Sequence, residues 1–398
     1  MGESQKSGIV LLAKRPGRTS FSSLGIIKKA LGTKKVGHTG TLDSFAEGLL
    51  VVCVGSLTRL ASIITSFDKT YEAIIEFGKE TDTLDPTGNV IRQAELPENS
   101  LLLKSLEKIS GKIMQAPPAF SALHVDGKRA SDLMRKGVSV ELEKRPVEVF
   151  SHKILDVEFE DGSALSGCEE DFSKKVKYAK IQFHVSKGTY IRSLARDIGT
   201  DCKSAAYLIG LLRTQVSMFT LDKAAGCGLL EEFTIRNAVA RYENAGGKSD
   251  CANAEGSMES LADCGKGCGT DCDKDCGIQD GDVRAQDEAL KAEICQKMQG
   301  MSPRLSLECG LIPVKLLPEY EYDFFHGRPL KKKMLLPLVS VAESESELYN
   351  INGAVKYAVF LSDMDFAGAV LLEGGRLKYS YVIPHSEIAG KKAGGDNK

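Results

Sequence analysis

Two side chains that could do chemistry lie in one short segment near the start of the chain. His38 and Asp43 belong to residues 37–43, which read Gly-His-Thr-Gly-Thr-Leu-Asp. The two glycines permit close approaches that a Cβ would forbid, so a substrate could lie against the main chain beside an imidazole and a carboxylate. The same residue types are common in ordinary turns. By itself, the segment leaves an active-site loop and a capped turn as equal alternatives.

The residues around this segment decide between the alternatives. Residues 35–50, followed by Gly55 and Arg59, closely resemble the signature of the TruB-type pseudouridine synthases. Three further stretches resemble the same family in the same order, at residues 13–20, 117–122 and 186–194. Together they span roughly the first half of the chain, and such an order is hard to produce by chance. The resemblance implies an enzyme that isomerises uridine in RNA to pseudouridine.

The resemblance also implies which residues act. Asp43 corresponds to the family's nucleophile, in a reaction that breaks the bond from uracil N1 to ribose C1′ and rebuilds it from C5. This reaction needs no cofactor and no metal. Asp43 could add to C1′, add to the pyrimidine ring, or assist loss of the C2′ hydrogen, and the sequence does not choose among these routes. The residues implied to bind the substrate are His38, Tyr71, Tyr190, Arg192 and Leu211.

Each of these residues has an implied task. Tyr71 matches the tyrosine that stacks on the flipped target base, and Leu211 matches the apolar residue behind it. His38 resembles the residue that fills the vacated space, and Tyr190 would line the same pocket. A carboxylate covered by RNA needs an opposite charge to stay ionised, so we predict that Arg192 pairs with the nucleophile. Without the resemblance, Tyr71 and Leu211 would be read as core residues.

Three positions depart from the family pattern. Ser44 follows Asp43 where the signature nearly always has proline, which makes the loop less rigid. Residues 117–145 resemble the family's thumb, an element that folds over the RNA. In this thumb His124 stands in place of lysine and Ser131 in place of tyrosine. We expect these changes to loosen RNA contact without removing the chemistry.

Length and charge restrict the class of protein. A chain of 398 residues exceeds the usual size of one core, so two domains and an insertion are expected. A net charge of −2 argues against a protein that coats nucleic acid over its whole surface, so any RNA contact must be local. The candidate basic clusters are Lys28, Lys29, Lys34 and Lys35 before the loop, and Lys128, Arg129, Arg135 and Lys136 midway. A solvated face is the alternative for each cluster.

The expected surroundings are those of an intracellular RNA enzyme. No apolar run approaches the length of a membrane span, so no membrane contact is expected. Scattered cysteines in the first part of the chain are typical of free thiols in a reducing compartment. They are Cys53, Cys168, Cys202 and Cys227. We therefore expect a cytoplasmic protein. The resemblance implies that it binds the T-arm stem-loop of tRNA, and a monomer is expected.

Patterns of apolar residues predict an α+β (mixed α/β) chain, and the resemblance implies the pseudouridine synthase fold, with a central mixed sheet and a cleft. Strands are predicted over residues 8–13, 49–54, 71–78, 89–93, 146–159, 177–185 and 212–219. Helices are predicted over residues 20–31, with Ser20 as the N-cap, and over 56–65, 101–109 and 190–199.

Composition predicts the domain organisation. Residues 1–242 form the catalytic domain, and residues 243–300 form a flexible insertion rich in Cys, Gly and Asp. Residues 301–390 resemble the small RNA-binding β domain of the PUA type, and residues 391–398 are a tail. Within the insertion a cysteine recurs every four residues, at Cys264, Cys268, Cys272 and Cys276. A disordered repeat is favoured over a zinc site, because zinc sites usually separate two close cysteine pairs.

The sequence is compatible with four functions. The favoured one is a stand-alone enzyme that forms pseudouridine at position 55 in the T arm of tRNA. A guide-RNA-dependent subunit acting on rRNA usually carries a Gly-His-Ser-Gly variant and long basic extensions, which this chain lacks. A silent tRNA-binding chaperone is disfavoured by the intact Asp43, Tyr71 and Arg192. A hydrolase that pairs Asp43 with Glu47 has no other support.

Overall fold

A computed structural model describes residues 7–121, 123–125, 127–135, 142–166, 172–246, 280–339, 355–385 and 388. The strands in these ranges are β1 (Gly8–Lys14), β2 (Val36–His38), β3 (Glu47–Val54), β4 (Lys69–Phe77), β5 (Lys79–Thr81), β6 (Val90–Gln93), β7 (Gly111–Gln115), β8 (His124–Val125), β9 (Lys128–Arg129), β10 (Arg145–Phe159), β11 (Ala164–Ser166), β12 (Val176–Val185), β13 (Ala206–Val216), β14 (Phe219–Thr220), β15 (Ile312–Leu316), β16 (Leu335–Pro337), β17 (Val355–Phe360), β18 (Phe366–Glu373) and β19 (Arg376–Val382). The α-helices are α1 (Leu24–Leu31), α2 (Ala61–Thr65), α3 (Asn99–Lys108), α4 (Ala130–Arg135), α5 (Ile191–Asp201), α6 (Ile235–Gly246), α7 (Asp280–Lys297), α8 (Pro303–Glu308) and α9 (Glu321–Phe325). Short 3-10 helices cover Gly55–Leu60, Leu221–Lys223, Cys227–Leu229, Pro318–Tyr320 and Lys332–Met334.

The chain divides into two compact units. The first unit contains Met1–Lys69, Arg213–Leu229 and Glu293–Lys398. The second unit contains Thr70–Leu212 and Leu230–Ala292. The domain boundaries predicted from composition, near residues 242 and 300, do not coincide with this division, and they stay predictions.

Two buried strands of the first unit support the loop that carries Asp43. β1 pairs antiparallel with β3, from Gly8 opposite Val54 to Lys14 opposite Gly48. β2 also pairs antiparallel with β3, so β3 has β1 on one edge and β2 on the other. Every residue of β1 and β3 is buried, as their uninterrupted apolar runs predict. The loop after β2 therefore starts and ends on a rigid sheet.

The C-terminal residues of the first unit form a separate five-stranded sheet in the order β16-β15-β17-β18-β19. β15 and β17 are parallel, and the other neighbours in this sheet are antiparallel. The predicted small C-terminal β domain is confirmed, and its sheet is consistent with the PUA type. Backbone hydrogen bonds also join Ile9 of β1 to Gln299, at 2.8 and 2.9 Å.

The second unit is built on a sheet that contains the order β4-β12-β10-β11. β10 is the long central element, because it pairs antiparallel with β12 and β11 and, at its start, with β7. β5 and β6 form a separate hairpin. An ion pair of 2.8 Å between Lys108 and Asp201 joins the ends of α3 and α5. The predicted α+β class is confirmed by these mixed sheets and helices.

Two local predictions were wrong at their boundaries. The helix predicted from Ser20 begins at Leu24, because the Ser20 hydroxyl binds the backbone of Leu42 instead of capping the helix. The strand predicted over residues 212–219 starts earlier, as β13, and ends where Ser217 adopts a φ of 46° and turns the chain into β14. In both places a contact or turn outside the local pattern decides the structure.

Part of the segment predicted to be a flexible insertion is a helix. α7 occupies residues 280–297, within the predicted range of 243–300. Its apolar content is low, but Ile294 is fully buried, and Glu293 forms an ion pair of 2.7 Å with Lys297 one turn later. The cysteines Cys264, Cys268, Cys272 and Cys276 lie outside the described residues.

Candidate active site

Asp43 lies half-buried in the loop between β2 and β3, and the loop is fixed before and after it. The amide and hydroxyl of Thr39 both donate to Val51 O, at 3.0 and 3.2 Å. Leu42, directly before Asp43, is buried and exchanges two hydrogen bonds with Ser20. Its amide donates to Ser20 Oγ at 2.8 Å, and Ser20 Oγ donates to Leu42 O at 3.0 Å. The carboxylate is therefore presented by an anchored backbone.

A buried lysine fixes the other side of the loop. Lys14 is only 1 % exposed, and its ammonium donates to Ala46 O at 2.5 Å and to Ser44 O at 3.3 Å. Gly17 N also donates to Ser44 O, at 2.8 Å. The Ser44 carbonyl thus receives two hydrogen bonds that hold the backbone immediately after Asp43. These bonds supply rigidity at the position where the resemblance leads one to expect proline.

Burial lowers the pKa of Lys14 to about 8, against the opposing influence of Asp43 and Glu47, which raise it, while Arg213 lowers it further. The side chains of Lys14, Glu47 and Arg213 are all buried in the first unit. Charges held out of water need partners of opposite sign or fixed hydrogen bonds. The loop therefore rests on a buried layer of charged groups.

Arg213 is the second support that the sequence did not indicate. It is 2 % exposed, its Nε donates to Leu49 O at 2.7 Å, and its Nη2 donates to Gly40 O at 3.1 Å. One planar guanidinium thus ties the loop to β3. The only signal in the sequence is an arginine directly after Leu211 and Leu212, which would need hydrogen bonds if that strand is buried, but its partners cannot be read from the sequence.

His38 ends β2 and enters the loop. Burial lowers its pKa below the ordinary value, and Arg213 lowers the pKa further, so the ring is neutral near pH 7. Its Nδ1 is buried and has no hydrogen-bond partner among the residues that the structure describes. The site therefore holds a flat, uncharged ring whose Nδ1 is shielded from solvent.

Arg192 and Tyr190 lie at the start of α5 in the second unit. Tyr190 is the N-cap residue, and its backbone is held by Gln115, which accepts from Tyr190 N at 2.9 Å and donates to Tyr190 O at 3.1 Å. Arg192 is 5 % exposed and donates to Thr83 O at 2.8 Å and to Phe120 O at 3.1 Å. These bonds fix the backbone of Tyr190 and the guanidinium of Arg192.

The loop between β5 and β6 supplies a carboxylate to Arg192. Asp85 Oδ2 lies 3.3 Å from Arg192 Nη1, and both side chains are buried. Asp85 Oδ1 accepts from Thr83 Oγ1 at 2.8 Å and from Thr87 N at 3.0 Å. A Cβ on Gly88 would lie 2.9 Å from the backbone nitrogen of Thr83, closer than Cβ atoms normally approach, so this position favours glycine.

The predicted site residues fall in both units. His38 and Asp43 share one loop of the first unit, and Tyr190 and Arg192 share one helix start in the second. Tyr71 on β4 and Leu211 on β13 also belong to the second unit, and both are buried. The predicted pairing of Arg192 with Asp43 stays a prediction.

The structure also bears on the two thumb positions, on metal binding and on membrane spans. His124 and Ser131 lie in β8 and α4, but their side chains are outside the described part of the structure. Within the described ranges, no group of three or more His, Cys, Asp or Glu side chains is arranged to hold a metal ion. None of the helices in those ranges is long and apolar enough to cross a membrane.

Comparison with known proteins identifies the class of enzyme. Residues 28–191 match the model of the TruB family pseudouridylate synthase, N-terminal domain. The tRNA pseudouridine synthase B of Treponema denticola is 39 % identical over 386 residues, which cover 96 % of this chain and 99 % of the relative. That of Borreliella burgdorferi is 41 % identical over 231 residues, which cover 58 % of this chain and 77 % of the relative. The sequence is thus that of a pseudouridylate synthase.

Solved structures support the fold. A chain from the crystal structure of a Cbf5-Nop10-Gar1 complex aligns with a TM-score of 0.55 at 19 % identity, over 96 % of this chain and 86 % of that one. A chain from an archaeal box H/ACA sRNP Nop10-Cbf5 complex aligns with a TM-score of 0.53 at 17 % identity, over 97 % and 89 %. At this identity the similarity concerns the fold alone. The chain belongs to the TruB family of pseudouridylate synthases, as the similarity along its full length to the Treponema relative requires.

Proposed function

We propose that this enzyme isomerises the uridine at position 55 in the T arm of tRNA, with Asp43 as the nucleophile. The observation that carries the proposal is the fixation of Asp43 between two anchors, Ser20 bound to Leu42 and Lys14 bound to Ser44 and Ala46. A reacting carboxylate gains most from such pre-organisation, because misplacement by about 1 Å can slow a reaction a hundredfold. Support for tRNA as the substrate comes from the full-length Treponema relative, which is named a tRNA pseudouridine synthase.

The reaction is an isomerisation in which atoms balance without a co-reactant. The glycosidic bond from N1 to C1′ breaks, the ring turns, and a bond from C5 to C1′ forms. C5 then loses its proton, and N1 ends with one. Asp43 can serve by adding to C1′, by adding to the ring, or by assisting loss of the C2′ hydrogen.

The other site residues assist base flipping in this proposal. Tyr71 stacks on the extruded uracil, Leu211 packs behind it, and Tyr190 lines the same pocket. His38 fills the vacated place in the RNA, a role that suits a neutral ring, since a charged one would lose more hydration on stacking. Arg192 keeps the Asp43 carboxylate ionised by its charge.

The test uses the purified chain and an unmodified tRNA transcript, with no other RNA or protein present. We expect pseudouridine at the T-arm uridine, mapped by chemical derivatisation and primer extension, and no product in a transcript with cytidine at that position. A product that forms only after a guide RNA is added would replace this proposal with a guide-dependent enzyme. Tight tRNA binding without any product would indicate a chaperone.

A further inference from the structure

Phe21 is an exposed aromatic side chain with no role in the site described above. Its relative exposure is 72 %, the highest among the large apolar side chains in the described part of the protein. A single exposed apolar residue is common and needs no explanation by itself. Its position and its neighbours distinguish Phe21 from an ordinary surface residue.

The backbone of Phe21 is anchored to the Asp43 loop. Ser20, the preceding residue, exchanges hydrogen bonds with Leu42, and Leu42 directly precedes Asp43. The turn that carries Phe21 is itself ordered, because Thr19 Oγ1 accepts from Ser22 N at 3.0 Å. The backbone that carries the ring is therefore ordered before any ligand binds, so little further ordering of the backbone is needed on binding.

The sequence on both sides of Phe21 is basic in a chain whose net charge is −2. Residues 15–42 contain no Asp or Glu. Their cations are Arg15, Arg18, Lys28, Lys29, Lys34 and Lys35. Clustered cations of this kind attract phosphates, and the attraction depends on salt. These cations therefore favour a nucleic acid as the ligand, rather than a neutral molecule or a protein surface with few acidic residues.

Lys28 connects the ring to this charge. Its Nζ lies 5.1 Å from the centroid of Phe21, on α1, which follows the turn. The lysine occupies one side of the ring, and the large exposure of Phe21 leaves most of the remaining surface accessible. An aromatic face beside a cation is the arrangement by which proteins hold unpaired nucleotides, with the base on the ring and its phosphate on the cation.

We propose that Phe21, with Arg18, Lys28 and Lys29, forms a second contact for the substrate RNA, which we call the Phe21 surface. An unpaired base near the flipped uridine stacks on Phe21, and the cations bind adjacent phosphates. The inference rests on the proposed function for its ligand class. It adds a binding residue outside the pocket that receives the target base.

The test measures binding of unmodified tRNA transcript to the full chain, in an Asp43→Asn background that prevents turnover. Phe21→Leu keeps an apolar side chain but loses the aromatic face, and we expect Kd to rise roughly fivefold to tenfold. Phe21→Trp keeps the face, and we expect Kd to stay within about twofold of the Phe21 protein. The matched control is Phe172→Leu, which alters another exposed phenylalanine, and we expect no change in Kd.

Salt dependence tests the cationic part of the surface. Lys28→Gln should reduce the slope of log Kd against log salt by roughly one contact, about 0.7 to 0.9. The proposal would be overturned if Phe21→Leu had the same Kd for tRNA as the Asp43→Asn protein without it. It would also be overturned if Phe172→Leu raised the Kd as much as Phe21→Leu does. Concentration-dependent self-association that disappears in Phe21→Leu, with unchanged RNA binding, would assign the surface to a second copy of the chain.

The two proposals can fail separately. Formation of pseudouridine by the wild-type enzyme tests the proposed function. The Kd values measured in the Asp43→Asn background test the Phe21 surface. Binding that depends on Phe21, without pseudouridine at the T arm, would support the surface and reject the assigned target. Normal formation of pseudouridine at the T arm, with RNA binding that does not depend on Phe21, would support the proposed function and reject the Phe21 surface.

Discussion

Ser20 and Leu42 exchange a reciprocal pair of hydrogen bonds across 22 positions of the chain, and this pair fixes the residue before Asp43. The hydroxyl accepts from Leu42 N at 2.8 Å and donates to Leu42 O at 3.0 Å. Both partners are buried, so water does not replace either bond. The pair thus links the start of the chain to the geometry of the proposed nucleophile.

Ser20→Ala should therefore reduce both activity and stability. The substitution leaves the Leu42 amide buried without its acceptor, which costs about 1–3 kcal/mol of unfolding free energy. We expect kcat on tRNA to fall about tenfold through misplacement of Asp43. The measurements are urea unfolding and single-turnover rates. Ser66→Ala, which removes an exposed hydroxyl bonded to Ile63 O, is the control and should change neither. Wild-type kinetics in Ser20→Ala would show that the pair does not position Asp43.

Arg213→Lys should destabilise the loop although it preserves the charge. A lysine ammonium lacks the planar fork that reaches both Leu49 O and Gly40 O, so one carbonyl loses its donor. We expect a loss of about 1–3 kcal/mol in the free energy of unfolding and a lower kcat. Arg304→Lys alters an exposed ion pair with Glu308 and should stay within about 0.5 kcal/mol. Similar effects of the two substitutions would contradict the assigned role.

Asp85→Asn should lower the free energy of unfolding, because the buried guanidinium of Arg192 loses its charged partner. The substitution keeps an acceptor but removes the charge opposite the guanidinium, 3.3 Å away. Removing one partner of a buried pair typically costs about 3–5 kcal/mol, and the retained hydrogen bonds should reduce the loss to about 2–3 kcal/mol. Glu80→Gln, at the more exposed pair with Arg92, should cost less than about 1 kcal/mol. Chemical denaturation of both variants measures these losses, and equal losses would contradict the role assigned to Asp85.

The lowered pKa of Lys14 predicts a specific dependence of stability on pH. In the unfolded chain this lysine keeps its proton up to its ordinary value of 10.5, whereas the folded protein releases it at about 8. Between these values the unfolded state binds more protons, so the free energy of unfolding rises with pH relative to Lys14→Met. The slope of that difference approaches about 1.4 kcal/mol per pH unit. A difference that stays constant from pH 7.5 to pH 10 would contradict the lowered pKa.

Several elements could be predicted from local sequence. β3 follows directly from an uninterrupted apolar run, and β4 and β12 follow from runs of strand-forming residues. The loop after β2 was identified by its glycines and its motif. These features depend on residues that are close together in the chain, so a local pattern is sufficient.

The supports of the site could not be predicted in the same way. Ser20 has the residue type of a helix cap, but its partner is Leu42, and no local pattern contains that contact. Arg213 and Asp85 act through carbonyls and side chains brought near by the fold. α7 was missed because its residues contact distant parts of the chain: Glu293 accepts from Gly226 N, and Lys297 donates to Ala224 O.

The central claim is that Asp43 is the nucleophile, and the most direct test is the single-turnover rate of Asp43→Asn on unmodified tRNA transcript. We expect the rate of pseudouridine formation at the T arm to fall by more than about a thousandfold, with tRNA binding retained. Asp222→Asn, at an exposed aspartate of the same unit, should react at the wild-type rate. Equal product from Asp43→Asn and the wild-type enzyme would contradict the claim.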